Sequence, residues 1–190
     1  NVSVPTLLGV GVEYIPSALA FFERIRQIEE TAEHIVVLAG PVSFLMSSEI
    51  FEQTLSECLT ESIPLLEADR DRAIEQVKKL LPILHKRKQT YRERQPGILN
   101  LISGSEIERF LRNGLVGRLD LPQDLLRERR ARARAEAEHL IGIMEEEPIG
   151  VQIGIVPGNL PHTSFQIFRQ SDRKILALSP FRLGEQPNVH

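Results

Sequence analysis

The sequence predicts an α+β fold: N-terminal helices, a long helix, and a small antiparallel sheet built mainly from the C-terminal strands. Three observations predict it. From residue 18 onward, apolar residues recur mostly every three or four positions. One long stretch, roughly Pro122 to Glu146, carries a single stripe of Leu126, Ala133, Ala137, Leu140 and Met144. Beyond it the period falls to two. Val151, Ile153 and Ile155 alternate with Gln152 and Gly154, and Phe165 and Ile167 flank Gln166. That alternation suits antiparallel strands with one buried face.

Each element follows from local chemistry. Ala18 to His34 reads as a helix with Phe21, Phe22, Ile25, Ile28 and Ala32 on one face, and Ser17 offers an N-cap. Ile35 to Ala39 reads as a strand or buried extended piece, ended by Gly40-Pro41. A second helix opens at Ser47 or Ser48, with Ile50, Phe51, Leu55, Cys58 and Leu59 as its apolar face. A third runs from about Leu65 to Tyr91, with Ile74, Val77, Leu81 and Leu84 in register. Its acidic front (Glu67, Asp69, Asp71) and basic rear (Lys86, Arg87, Lys88) complement the helix dipole. Pro82 inside it predicts a kink or a break. Gly97 to Ile102 reads as a strand. Ser105 and Glu108 form a capping-box pattern for a short helix that stops near Gly114. Asp120 is expected to cap the long helix, with Pro122 in its first turn. The C-terminal strands are Ile149 to Val156, Ser164 to Arg169 and Lys174 to Leu178, separated by Pro157-Gly158-Asn159 and Ser171-Asp172-Arg173.

Composition narrows the function classes. A chain of 190 residues with 42% apolar residues can bury a core without metals or disulfides. The lone Cys58 excludes an intrachain disulfide and points to a reducing compartment, the cytoplasm. No apolar run approaches the roughly 20 residues that span a bilayer, and no basic-then-apolar leader opens the chain, so no membrane partner is expected. A net charge of −3 gives no support to nucleic-acid binding through global charge. The start at Asn1 and the end at Val189-His190, just past a strand-like run, read as cuts in a longer protein.

No catalytic set, metal site or cofactor motif emerges. His34, His85, His139 and His162 are isolated, so the two-histidine spacing of a zinc protease is missing. Gly9 and Gly11 lack the further glycine and lysine of a phosphate loop. Cys58 sits on an apolar stripe, as core cysteines do. His139, between Glu138 and Leu140, and the run Glu145-Glu146-Glu147 fit solvated helix surface.

Two segments remain as candidates. In the first, Pro157 and Pro161 stiffen a loop in which Asn159, His162, Thr163 and Ser164 offer hydrogen-bonding groups to a ligand or partner. A structured hairpin with polar tips is the alternative. His162 and Ser164 lack a third partner for a triad. A small hydrolase using His162 and a carboxylate brought near by folding is the competing functional reading. In the second segment, Arg127, Arg130 and Arg134 could meet DNA phosphates or an acidic partner. A solvated face paired with Glu128, Glu136 and Glu138 explains them as simply.

Two stretches carry a family resemblance. Phe21-Phe22-Glu23-Arg24-Ile25 through Glu29 to Ile35 leads into an extended segment to Gly40 and a helix at Ile50 to Leu59. Further on, the basic end Arg87 to Arg94 precedes Ile98 to Ile102, then Glu106, then Glu138-His139-Leu140-Ile141. Glu147-Pro148-Ile149-Gly150-Val151-Gln152-Ile153-Gly154-Ile155-Val156-Pro157 and Phe165-Gln166-Ile167-Phe168 complete the order. This order over residues 18 to 178 resembles the antitoxin-like C-terminal domain of helix-turn-helix regulators of the xenobiotic-response-element type. Where that family carries a proline-glycine-leucine-leucine-glutamine pattern, this chain has Gly40-Pro41-Val42-Ser43-Phe44. Asn1-Val2-Ser3-Val4-Pro5-Thr6-Leu7-Leu8 resembles the end of such a helix-turn-helix. The resemblance implies a linker or helix-turn-helix remnant over 1–17 and an effector and dimerisation domain over 18–190. It implies a homodimer, a small-molecule or protein effector, and DNA contact through a reader upstream. The chain alone is not expected to bind DNA specifically. Pairing is expected to use the stripes on Phe21/Ile25 and Leu126/Leu140, because readers of two half-sites need a twofold partner.

Overall fold

The computed structural model describes residues 11–38, 40–64, 69–118, 120–146, 148–157 and 164–179. Among them, five strands form one sheet: β1 (His34–Leu38), β2 (Gly97–Ser103), β3 (Val151–Val156), β4 (Ser164–Arg169) and β5 (Lys174–Ser179). The helices are α1 (Ala18–Glu29), α2 (Glu49–Glu61), α3 (Arg70–Arg94), α4 (Gly104–Asn113) and α5 (Gln123–Glu146), with a 3₁₀ turn at Phe44–Met46.

The fold is α+β, but the sheet is mixed rather than small and antiparallel. Its order is β3-β2-β1-β4-β5. β1, β2 and β3 run parallel, while β4 is antiparallel to β1 and β5 to β4. The expected C-terminal meander is therefore split. β3 joins the far edge beside β2, and the segment Ile35 to Leu38 is the central strand. Alternation reports which residues form a strand and leaves the neighbour open. The parallel steps from β1 to β2 to β3 go one way, and crossovers of the usual hand then set the connecting helices on one face. Ile35, Ile98, Ile102 and Phe168, all on that face, share a buried core with Phe21, Phe22, Ile25 and Ile28 of α1 and Leu84 of α3.

The stripes expected to pair two chains are spent inside one. Phe21 and Ile25 lie in this core with Ala133 and Leu140, and Leu126 packs with Val116 and Leu121 in a second cluster.

Capping chemistry explains most boundaries. Ser17 accepts from the Ala20 amide at 3.2 Å, and Ser48 from the Phe51 amide at 3.2 Å, so both expected caps form. Helix α1 stops at Glu29 instead of reaching His34, because the chain is drawn into the sheet, where the Gly97 amide donates to the Glu33 carbonyl at 2.9 Å. The capping pattern at Ser105 and Glu108 is two residues late: Ser103 caps α4, accepting from the Glu106 amide at 3.4 Å. The cap expected from Asp120 is replaced by Pro122, whose carbonyl accepts from the Leu126 amide at 3.0 Å. Helix α3 runs through Pro82 unbroken. Leu80 before the proline and Leu84 after it are both buried, so packing on both sides outweighs the missing amide.

Candidate functional site

The start of α2, the end of α3, the second half of α5 and the entry to β3 converge around a cleft of about 610 Å³. Leu45, Met46, Ile50, Ile143, Pro148 and Val151 make its walls largely apolar. Tyr91, Arg92 and His139 supply its polar groups, with Ser48, Glu49 and Lys88 beneath and beside them.

A buried polar frame fixes these walls. Glu136 is buried on α5 and accepts from the Ser48 amide at 3.0 Å and from the Ser48 hydroxyl. That carboxylate sits at the positive end of α2, where a negative charge is favoured. It ties α5 to α2 at the cleft floor. The expectation that Glu136 pairs with arginines on the helix surface is thereby overturned. Lys88 is also buried: its ammonium donates to Glu52 and, at 3.4 Å, to the Ser48 carbonyl, and lies 5.8 Å from the centre of the Phe44 ring. The end of α3 is therefore held against α2 by a satisfied cation, so Lys88, read from sequence as complementing the helix dipole, also joins two helices.

The polar rim is chemically defined. Nε2 of His139 lies 3.0 Å from the Met46 carbonyl. A carbonyl only accepts, so Nε2 donates in this contact and Nδ1 is the ring nitrogen left free of it. Burial pushes the Tyr91 phenol up, which keeps it a neutral hydrogen-bond donor. Arg92 is exposed at the mouth and has no ion-pair partner among the described residues. The arrangement can hold an apolar body against the walls and an anionic or acceptor group near Tyr91 and Arg92.

Of the candidates read from sequence, Ser164 and the three arginines do not line the cleft. Asn159, His162 and Thr163 fall outside the described residues. Ser164 opens β4 and is buried. β3 ends at Val156, and the cleft touches Val151 at its other end. Arg127, Arg130 and Arg134 are exposed on one side of α5, and Arg127 pairs with Asp124. Their neighbours turn inward. Arg129 reaches Glu57 at 2.8 Å and Glu61 at 2.5 Å, and Arg132 reaches Glu57 at 3.3 Å as well as Glu128. His139, set among carboxylates in the sequence, is part of the cleft. Ser48 was legible only as a cap, and Lys88, Tyr91 and Arg92, neighbours on one helix, carried no signal of a site because the other walls reach them only across the fold.

Nucleophiles and metal ligands are not gathered here. Cys58 is buried, donates to the Leu115 carbonyl at 3.0 Å, and has its thiol pushed up to about 12, chiefly by burial. No group of three His, Cys, Asp or Glu among the described residues could hold a metal ion. No helix among them is long and apolar enough to cross a membrane. Comparison with protein-family models, with curated proteins and with solved structures returned no match for this chain.

Proposed function

We propose that this chain is the effector-binding and pairing half of a cytoplasmic helix-turn-helix regulator, and that it acts by binding rather than by turnover. The observation that carries the reading is the cleft between α2, α3, α5 and β3. Its apolar walls and the Tyr91–Arg92 end suit a small amphipathic molecule with a carboxylate or similar acceptor. A ligand that touches four separate elements gains or loses contacts when they shift against one another, and only differential contacts shift a conformational equilibrium. The resemblance in element order to regulators of the xenobiotic-response-element type supports the regulatory part. In this reading the chain is a homodimer, and DNA is contacted by a reader upstream of Asn1.

Thermal unfolding with a panel of amphipathic carboxylates, such as decanoate and indole-3-acetate, tests it against amines of the same size. A ligand at a hundred times its Kd adds about 2.7 kcal/mol. At about 2–4 °C per kcal/mol for a chain of this size, the melting point should rise by about 5–10 °C. The rise should vanish in Arg92→Ala and shrink in Tyr91→Phe. Equal shifts with carboxylates and amines, or none with either, would sink the assignment.

A further inference from the structure

We propose that the outer face of the sheet, the side away from the helices, is where a second copy of this chain sits. Strand register places the residues in rows across that face. Leu99, Val36, Ile167 and Leu176 form one row. Leu101, Leu38, Phe165 and Leu178 form the next. None of these eight belongs to either apolar core cluster, and although Leu38 is already covered within the chain at 5% exposed, Val36, Leu99, Leu101, Phe165 and Ile167 are half-buried. Leu176 is 59% exposed and Leu178 58%. The row at one end, His34, Arg169 and Lys174, is polar and basic. An apolar centre with a charged rim is the anatomy of an interface, and contiguous apolar patches of this extent are rare on a monomer's surface.

Area and shape decide the occupant. Five strands about 4.8 Å apart and about six residues long outline a face of about 24 by 20 Å. Two such faces enclose about 1,000 Å² before side-chain relief is counted, which reaches the lower bound of a specific interface. A single helix, about 10 Å wide, would leave more than half of the face bare. A flat surface cannot enclose a small molecule. A twin sheet matches it in extent and twist, packing about 10 Å away with strands within about 30° of alignment. The basic end rows would repel if the two sheets ran in the same direction. The strands therefore run antiparallel across the interface, and a twofold axis passes near Val36 on the central strand. This surface replaces the α1 and α5 stripes, which are buried within one chain.

The inference gives the pairing in the proposed function a surface and rests on that part alone. Sedimentation of the full chain at micromolar concentration should give a dimer. Ile167→Asp and the edge-strand Leu176→Asp should each raise the dimer dissociation constant at least a hundredfold while leaving the far-ultraviolet circular dichroism unchanged. Val36→Cys should cross-link to itself with a short bis-maleimide, a reaction the buried Cys58 does not share. A dimer that persists in both aspartate variants would overturn the surface and leave pairing intact. A monomeric wild-type chain would overturn both, as would a face covered by residues 180–190, shown by dimers that appear only on their deletion. The cleft's ligand shift is independent of each of these outcomes.

Discussion

Arg87 and Arg129 are both almost wholly buried, at 3% and 1% exposed, and each ties one helix to another. Arg87 on α3 meets Glu29 on α1 through two hydrogen bonds of 2.7 and 2.8 Å, and Glu29 is itself only 3% exposed. Its guanidinium also lies 5.6 Å from the centre of the Phe22 ring. Arg129 on α5 reaches two carboxylates on α2, Glu61 at 19% and Glu57 at 46% exposed, together with the Thr54 carbonyl at 3.2 Å. The first pair is closed to water on both sides, and the second opens to water through its acids. Burying two charges costs several kcal/mol per ion, so a closed pair adds little net stability yet tolerates no loss of one member. An open cluster can rehydrate what a mutation strands.

Removing one member of each cluster separates the two cases. Glu29→Met strands the Arg87 cation and should lower stability by about 3–5 kcal/mol in urea unfolding. The double variant Glu29→Met, Arg87→Met should recover most of that loss. A double variant as unstable as the single one would show that the pair contributes more than it costs to bury. Arg129→Met should cost less, about 1–3 kcal/mol, because Glu57 and Glu61 can turn toward solvent. Equal losses at the two sites would erase the distinction between closed and open.

Asn100 supplies a polar group with no hydrogen-bond partner among the described residues. It is fully buried in β2, and neither its side-chain nitrogen nor its side-chain oxygen meets a hydrogen-bond partner among them. Asn100→Leu should raise stability by about 1–3 kcal/mol, since an apolar group of similar size removes an uncompensated desolvation cost. A destabilised variant would mean that the amide has a function worth its burial.

The smallest effect belongs to Cys58, beside Arg129. Burial outweighs the nearby cation and pushes its thiol up to about 12. A raised acid favours the protonated, folded form. Its contribution is full below the ordinary thiol value of about 8.5 and is lost as pH climbs toward 12. Between those limits the melting point of the wild type should fall more steeply than that of Cys58→Val. Parallel slopes would show that the thiol is not held in an apolar setting.

These charged contacts also mark where sequence reasoning stops. Ser17 and Ser48 were legible as caps because the cap and the amide it serves lie three residues apart. Helical and two-residue periods likewise identified most elements, since each depends on neighbours in sequence. Lys88 and Arg87 look like any basic helix end, and only the fold brings Glu52 and Glu29 to them. Glu136 reads as surface charge until Ser48 arrives from a distant helix. The cleft was illegible for the same reason, as its walls come from four elements. The loop from Pro157 to Ser164 was conspicuous because its prolines and polar groups lie close together in the sequence, and Asn159, His162 and Thr163 fall outside the described residues.

The place of β1 carries a consequence for synthesis. The central strand takes β2 as its parallel neighbour, but its other edge waits for β4, near the far end of the described chain. While a ribosome is still making the C-terminal hairpin, one side of Ile35 to Leu38 has bare amides and carbonyls. Such an edge accepts any extended segment that arrives, including the β4 of a neighbouring chain. Late closure by non-local pairing is slow, and slow closure lengthens the exposure. A nascent chain stalled before Ser164 would thus be the aggregation-prone species, and a chaperone that covers this edge would protect its yield most.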